Sequence, residues 1–173
     1  MNENYLFIEG TKVPLTDEQV AMIKGAGAQA KKTAFSRVKE DETYWIINDS
    51  CMVVEACEDR LSKDEERFEC ANYCTDKELL EKRALYETLN RQLWRYSMEH
   101  DGDKIDWDRD GEKYHIFYNT GSKKWLISSI CHSWNFTVFF YSFEIAKNAI
   151  KEVVIPFVEE NPEFYEYIYG ERK

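Results

Sequence analysis

Tyr114-His115-Ile116-Phe117-Tyr118, then Thr137-Val138-Phe139-Phe140-Tyr141 and a helix opening at Ser142, repeats an order already present earlier in the chain. There, Tyr44-Trp45-Ile46-Ile47 is followed by Phe68-Glu69-Cys70-Ala71-Asn72-Tyr73 and a helix opening at Thr75. In both copies an aromatic-rich run reads as a strand ending in Tyr. A hydroxyl residue one or two positions later is placed to cap the next helix. A duplicated strand-then-helix unit predicts an α+β fold: an antiparallel sheet packed against two main helices, in two related halves. It names no chemistry.

Outward from that unit, the chain reads as an N-terminal hairpin-helix appendage (1–30), a linker (31–43) and an α+β domain (44–173). The domain's halves span 44–100 and 112–160, followed by an aromatic tail. Residues 5–15 suggest a hairpin turning at Gly10, and Thr16-Asp17-Glu18-Gln19 a capping box before Val20. Gly25-Ala26-Gly27-Ala28 is expected to stop that helix. In the first half, Asn48-Asp49-Ser50 turns the chain from Tyr44–Ile47 into Met52–Val54, and a charged loop runs from Glu58 to Arg67. The helix from Asp76 to Glu99 would reach roughly 36 Å. Its spaced Leu79, Tyr86 and Leu93, extended by Leu85, Leu89 and Tyr96, read as a core stripe rather than a dimer seam.

In the second half, Asn119-Thr120-Gly121-Ser122 joins Tyr114–Tyr118 to Trp125–Ile130 as a hairpin. Thr137–Tyr141 supplies a third strand. After Ser142, Ile145, Ala149 and Val153 share one helix face, with Ala146 and Ile150 beside it. Pro156 should kink or end this helix. Phe164-Tyr165-Glu166-Tyr167-Ile168-Tyr169 either docks on the core or faces a partner.

The 173 residues are 43% hydrophobic and 15% aromatic, ample for one buried core and too aromatic for a disordered chain. A net charge of -10 repels phosphate, which argues against direct nucleic-acid binding. The same charge suits solubility and, beyond that, a basic partner. No signal peptide or membrane-spanning run is legible, so the five cysteines (51, 57, 70, 74 and 131) read as reduced thiols in a cytoplasmic protein.

Three constellations have residue types that could carry chemistry. Asp106-Trp107-Asp108-Arg109-Asp110-Gly111 matches the opening of a calcium loop, with Asp106, Asp108 and Asp110 as ligands. Its closing bidentate Glu is replaced by Phe117, so a solvated acidic turn accounts for it better. Cys70 and Cys74, with Cys51, Cys57, Cys131 or His132, lack zinc-knuckle spacing. Cys131 and His132 are adjacent, which on a strand points them to opposite faces. With no nucleophile elbow, P-loop or zincin helix, the chain is read as a non-enzyme that needs no cofactor.

Trp45, Trp94, Trp107, Trp125 and Trp134, with 11 Tyr and 10 Phe, exceed what a core of this size needs and lean toward protein binding. Acids are concentrated in two stretches: Glu55 with 58–69 holds seven, and 99–112 another seven. The partner-binding candidates are therefore Glu58, Asp59, Asp64, Glu65, Glu66, Asp101, Asp103, Trp107, Tyr165 and Tyr167.

Several runs in order carry a resemblance. They are Leu6-Phe-Ile-Glu-Gly-Thr-Lys-Val, Leu15-Thr-Asp-Glu-Gln, Phe35-Ser-Arg-Val-Lys-Glu-Asp-Glu-Thr-Tyr-Trp-Ile-Ile, Arg67-Phe-Glu-Cys-Ala-Asn-Tyr-Cys-Thr and Phe140-Tyr-Ser-Phe-Glu-Ile-Ala-Lys-Asn-Ala-Ile. Together they resemble small accessory proteins of phages and prophages of Gram-positive bacteria, across nearly the whole chain. Cys74 departs from that pattern, where an aromatic is usual. Some acidic proteins of this kind inhibit bacterial defence. The resemblance, with the charge, implies an anti-CRISPR-like, DNA-mimicking inhibitor of a type II RNA-guided nuclease, acting in the host cytoplasm. The alternative is a phage regulatory or assembly module that binds another phage protein, and a calcium-dependent protein is a third. Oligomeric state is left open.

Overall fold

The computed structural model describes residues 5–8, 11–28, 32–107, 111–131 and 137–165. The chain divides into two compact units, Met1–Ser36 and Arg37–Lys173. In the first unit, β1 (Tyr5–Ile8) pairs antiparallel with β2 (Thr11–Pro14), Ile8 opposite Thr11. The expected turn at Gly10 lies outside the described residues. The capping box forms: Thr16 N–H donates to Gln19 Oε1 at 3.0 Å, and Gln19 N–H to Thr16 Oγ1 at 3.2 Å. It opens α1 (Asp17–Ala28), which continues through Gly25 and Gly27 instead of stopping there. Two glycines cost about 1 kcal/mol each relative to alanine, and the interleaved alanines are the strongest helix formers.

The second unit holds both repeats. In the first, β3 (Thr43–Ile47) pairs antiparallel with β4 (Val53–Cys57), setting Tyr44 opposite Ala56 and Ile46 opposite Val54. On the other edge of β3, Trp45 and Cys74 exchange backbone hydrogen bonds of 2.7 and 3.0 Å. In the second, β5 (Lys113–Asn119) lies between β6 (Lys124–Ile130) and β7 (Phe139–Phe140). Tyr114 stands opposite Phe140 and His115 opposite Phe139. Both repeats therefore place the first strand centrally, its hairpin partner on one edge and the pre-helix residue on the other. Each keeps its own small sheet.

The helix caps obey the same rule. Asp76, two residues after Cys74, accepts from Leu79 N–H at 3.0 Å and opens α3 (Lys77–Glu99). Ser142, two after Phe140, accepts from Ile145 N–H at 3.3 Å and opens α4 (Phe143–Ala149). The first cap is thus Asp76 and not Thr75. The run Phe68–Tyr73 is also not a strand. Phe68 and Glu69 end α2 (Ser62–Glu69), a helix inside the stretch expected to be a charged loop, and only Cys74 reaches the sheet.

The main core gathers Leu89, Leu93, Tyr96, Phe140, Ala146, Ala149, Val154, Phe157, Val158 and Phe164. Leu79 and Tyr86, expected in the core stripe, are exposed. Leu89, Leu93 and Tyr96 of that stripe are buried, with Leu85 packed against the same core, whereas Leu80 and Ala84, outside the stripe, are buried at the other end of α3. At ~100° per residue these sets lie on nearly opposite sides of the helix. The helix is shared between two repeats, so no single stripe describes it. After α4 the chain takes a π turn (Ile150–Val154) and re-enters α5 (Ile155–Glu160). Pro156 neither ends nor sharply breaks this helix: the wider turn ahead of it accommodates a residue without an N–H. In the tail, Phe164 packs edge-on against Phe157 at 5.5 Å.

Candidate functional site

The segment expected to be an acidic loop carries both the tightest polar network and an acidic surface. Glu58 and Asp64 are 0% exposed. Glu58 follows β4, and its carboxylate accepts from Arg37 Nε (3.0 Å), Arg37 Nη2 (3.2 Å), Tyr73 O–H (2.8 Å) and Arg60 N–H (3.1 Å). Asp64, in the first turn of α2, accepts from Tyr44 O–H (2.6 Å), Leu61 N–H (3.1 Å) and Asp59 N–H (3.2 Å). The Tyr44 and Tyr73 rings stack at 3.8 Å between the two acids. Arg67 donates to the Tyr44 hydroxyl at 2.9 Å, and Val38 N–H to that of Tyr73 at 3.1 Å. Residues 37–42, read in sequence as linker, are thereby tied into the first repeat.

Burying two carboxylates is costly unless donors replace the lost water. Here they do. The Arg37 hydrogen bonds hold Glu58 below the ordinary carboxylate range against the opposing effect of burial. Burial would raise Asp64, but the hydroxyl and backbone donors outweigh it and hold it low. Burial, together with the bond to Glu58, pushes Tyr73 up to about 12. Tyr44 is raised by burial and by Asp64. Both acids stay ionised, and both hold structure.

Two partner-binding expectations are therefore corrected: Glu58 and Asp64 are not surface groups, because Arg37, Tyr73 and Tyr44 draw them inward. The others divide as follows. Asp59, Glu65 and Glu66 are exposed, Asp59 with Lys63 at 3.5 Å and Glu65 paired to Arg37. Glu69, at the end of α2, joins them on the surface. Neither Glu66 nor Glu69 makes an ion pair among the described residues.

Asp101 and Asp103 are exposed in the turn after α3, Asp101 with Lys104 at 2.6 Å. That turn depends on Gly102, where a Cβ would stand 2.6 Å from the Ser97 carbonyl oxygen. Trp107 is 46% exposed with its edge on Phe139 at 5.1 Å, and Tyr165 is 37% exposed near Tyr118. Tyr167 lies outside the described residues. So do Asp108 and Asp110 of the calcium-like run, and His132. Among the described residues no group of three or more His, Cys, Asp or Glu is placed to hold a metal ion. No helix there is long and apolar enough to cross a membrane.

Sequence reading missed Arg37, Tyr44 and Tyr73 as anchors of α2. It also missed the second face of the β5–β6 sheet. Cross-strand partners share a face, which puts Lys113, His115, Phe117 and Asn119 with Ile130, Ser128, Leu126 and Lys124. The opposite face, with Tyr114, Ile116, Trp125 and Ile127, packs on the core. Strand alternation alone would have found this division; its outward consequence needed the positions of the helices.

No family model, curated protein or solved structure matches this chain.

Proposed function

We propose that the protein acts by binding a basic macromolecular partner, and that this partner is a nucleic-acid-cleaving defence complex of a bacterial host, such as a type II RNA-guided nuclease. The observation carrying this reading is the two-sided use of acids around α2. Asp64 and Glu58 lock the helix down from inside, while Asp59, Glu65, Glu66 and Glu69 stand outward. Asp101, Asp103 and Trp107 add a second acidic surface with an aromatic anchor. Acids on an anchored helix are pre-organised, so little ordering entropy is lost on binding. On a chain of net charge -10 they steer a basic channel toward contact. The choice of a defence nuclease rests on the resemblance to phage accessory proteins.

The test is charge reversal confined to surface acids: Asp59→Lys, Glu66→Lys and Glu69→Lys together. Asp64 is excluded because reversing it would unfold the helix. Target-DNA cleavage by the nuclease is measured against inhibitor concentration, at two salt concentrations. The triple variant should keep its melting temperature, lose at least about tenfold in inhibition, and show a weaker salt dependence. Undiminished inhibition by a folded triple variant would count against the acidic surface as the binding element.

A further inference from the structure

The β3–β4 hairpin covers only the first part of α3. At the start of the helix, Lys77 Nζ stands over the Trp45 ring of β3 at 5.0 Å. At the hairpin's turn, Arg91 Nη1 donates to Cys51 Sγ at 3.2 Å. Between these two contacts α3 packs on both strands, with Leu80 and Ala84 buried. The hairpin ends at Arg91, while α3 runs on to Glu99, roughly 12 Å further.

At ~100° per residue, Arg91, Arg95 and Met98 fall within about 60° of Leu80, and Trp94 lies about 40° to its other side. The face that the hairpin covers therefore continues past it in the open, as a ledge. Trp94 is 61% exposed and Met98 42%; Met52, beside Cys51 in the turn, is 58% exposed.

The charges on α3 divide at the same place. Lys77, Lys82 and Arg83 each pair with a glutamate one turn away, at 3.2, 2.6 and 2.6 Å. Arg91 and Arg95 are exposed and make no ion pair among the described residues, although Glu99 lies one turn beyond Arg95. Like charges one turn apart weaken a helix, so the pair carries a cost that acids from outside would relieve. Trp, Met and Arg are also the residues enriched in the cores of protein interfaces, and Trp and Arg dominate their hot spots.

We propose that this ledge docks a short acidic segment of a partner protein. An apolar side chain of that segment sits against Trp94, Met98 and Met52, and its carboxylates meet Arg91 and Arg95. A guanidinium group binds a carboxylate through two parallel hydrogen bonds, and clustered arginines are a recurring reader of acidic motifs. A nucleic-acid strand carries phosphate at every step and would run from the arginines onto Glu99, Asp101 and Asp103; a peptide confines its acids to the positions that have a cation. None of the acids reversed in the triple variant takes part, so the two readings fail separately.

The probe is a displayed library of random linear peptides, selected on the whole protein. Enriched peptides are synthesised and measured by fluorescence anisotropy. They should share an apolar residue and a pair of acids at fixed spacing, and should bind Trp94→Ala at least about tenfold more weakly than the native protein. Arg95→Glu should also cost at least about tenfold. Changing one of the shared acids to Lys should regain about tenfold on that variant while weakening binding to the native protein. Arg91 is left in place because it also holds the Cys51 turn. Trp94 and Arg95 are exposed, so both variants should keep the native melting temperature; if Trp94→Ala lowers it, the charge exchange at position 95 decides alone. No enrichment, peptides indifferent to both variants, or failure of every acid-to-Lys exchange overturns the proposal. So does a labelled oligothymidylate that binds the native protein but not Arg95→Glu, which assigns the ledge to nucleic acid. A dimer abolished by Trp94→Ala overturns it too, assigning the ledge to a second copy of the chain.

Discussion

Replacing Glu58 by Gln isolates the charge that anchors α2, because shape and burial are kept while the carboxylate is lost. The native oxygens receive four donors within 3.2 Å, two of them from Arg37. An amide supplies one acceptor oxygen and turns an NH2 toward a donor, leaving at least one group unpaired. Breaking a fully buried pair costs about 3–5 kcal/mol. Arg37, however, keeps 23% of its side chain exposed and regains water when released, which places the expected loss at about 2–3 kcal/mol. With a urea slope of about 2 kcal/mol/M, the midpoint should fall by roughly 1–1.5 M at unchanged slope. Tryptophan fluorescence during urea unfolding measures it.

The pH dependence adds a second constraint. Glu58 titrates below its ordinary value of 4.5 in the folded protein, so its stabilisation is complete above that pH and lost as pH falls through the folded value. Asp64 behaves alike, from an ordinary value of 3.8. The gap between native protein and Glu58→Gln should therefore be full at pH 7 and shrink below about pH 4.5. A loss under about 0.5 kcal/mol at pH 7, or a gap constant down to pH 3, would refute the structural role given to this carboxylate.

Other substitutions probe the elements that position the surfaces. Gly102→Ala sets a methyl against the Ser97 backbone and should cost about 2 kcal/mol or more, read as a lowered melting temperature with the turn at Asp101–Asp103 displaced. Asp76→Ala and Ser142→Ala each remove a helix cap and should cost about 1 kcal/mol in urea unfolding; equal losses are expected if the two repeats use equivalent caps. Leu93→Ala should destabilise by about 2–5 kcal/mol, whereas Leu79→Ala, on the exposed side of the same helix, should stay within about 0.5.

Local chemistry was enough for much of this protein. The Asn119–Ser122 turn with alternating aromatics specifies the β5–β6 hairpin, because turn geometry and a two-residue period act over a few residues. Ser142 as a cap and the Thr16–Gln19 box are equally local, and so is the duplicated order of strands and helices. What tertiary structure decided was where side chains of one type end up. Nearby backbone N–H groups of Asp59, Arg60 and Leu61 meet Glu58 and Asp64, but residue type alone does not mark these two acids off from Glu65 or Glu66. Glu58 and Asp64 are buried because Arg37, Tyr44 and Tyr73, 15 to 21 positions from the acid each one meets, present donors that repay their lost water. The stripe on α3 describes Leu85, Leu89, Leu93 and Tyr96 but not Leu79 and Tyr86, because helical periodicity assumes one partner surface and this helix has one on each side. The β5–β6 hairpin is a third case: a two-residue period predicts two faces, and only the placement of the core decides that Phe117 and Leu126 lie on the exposed one.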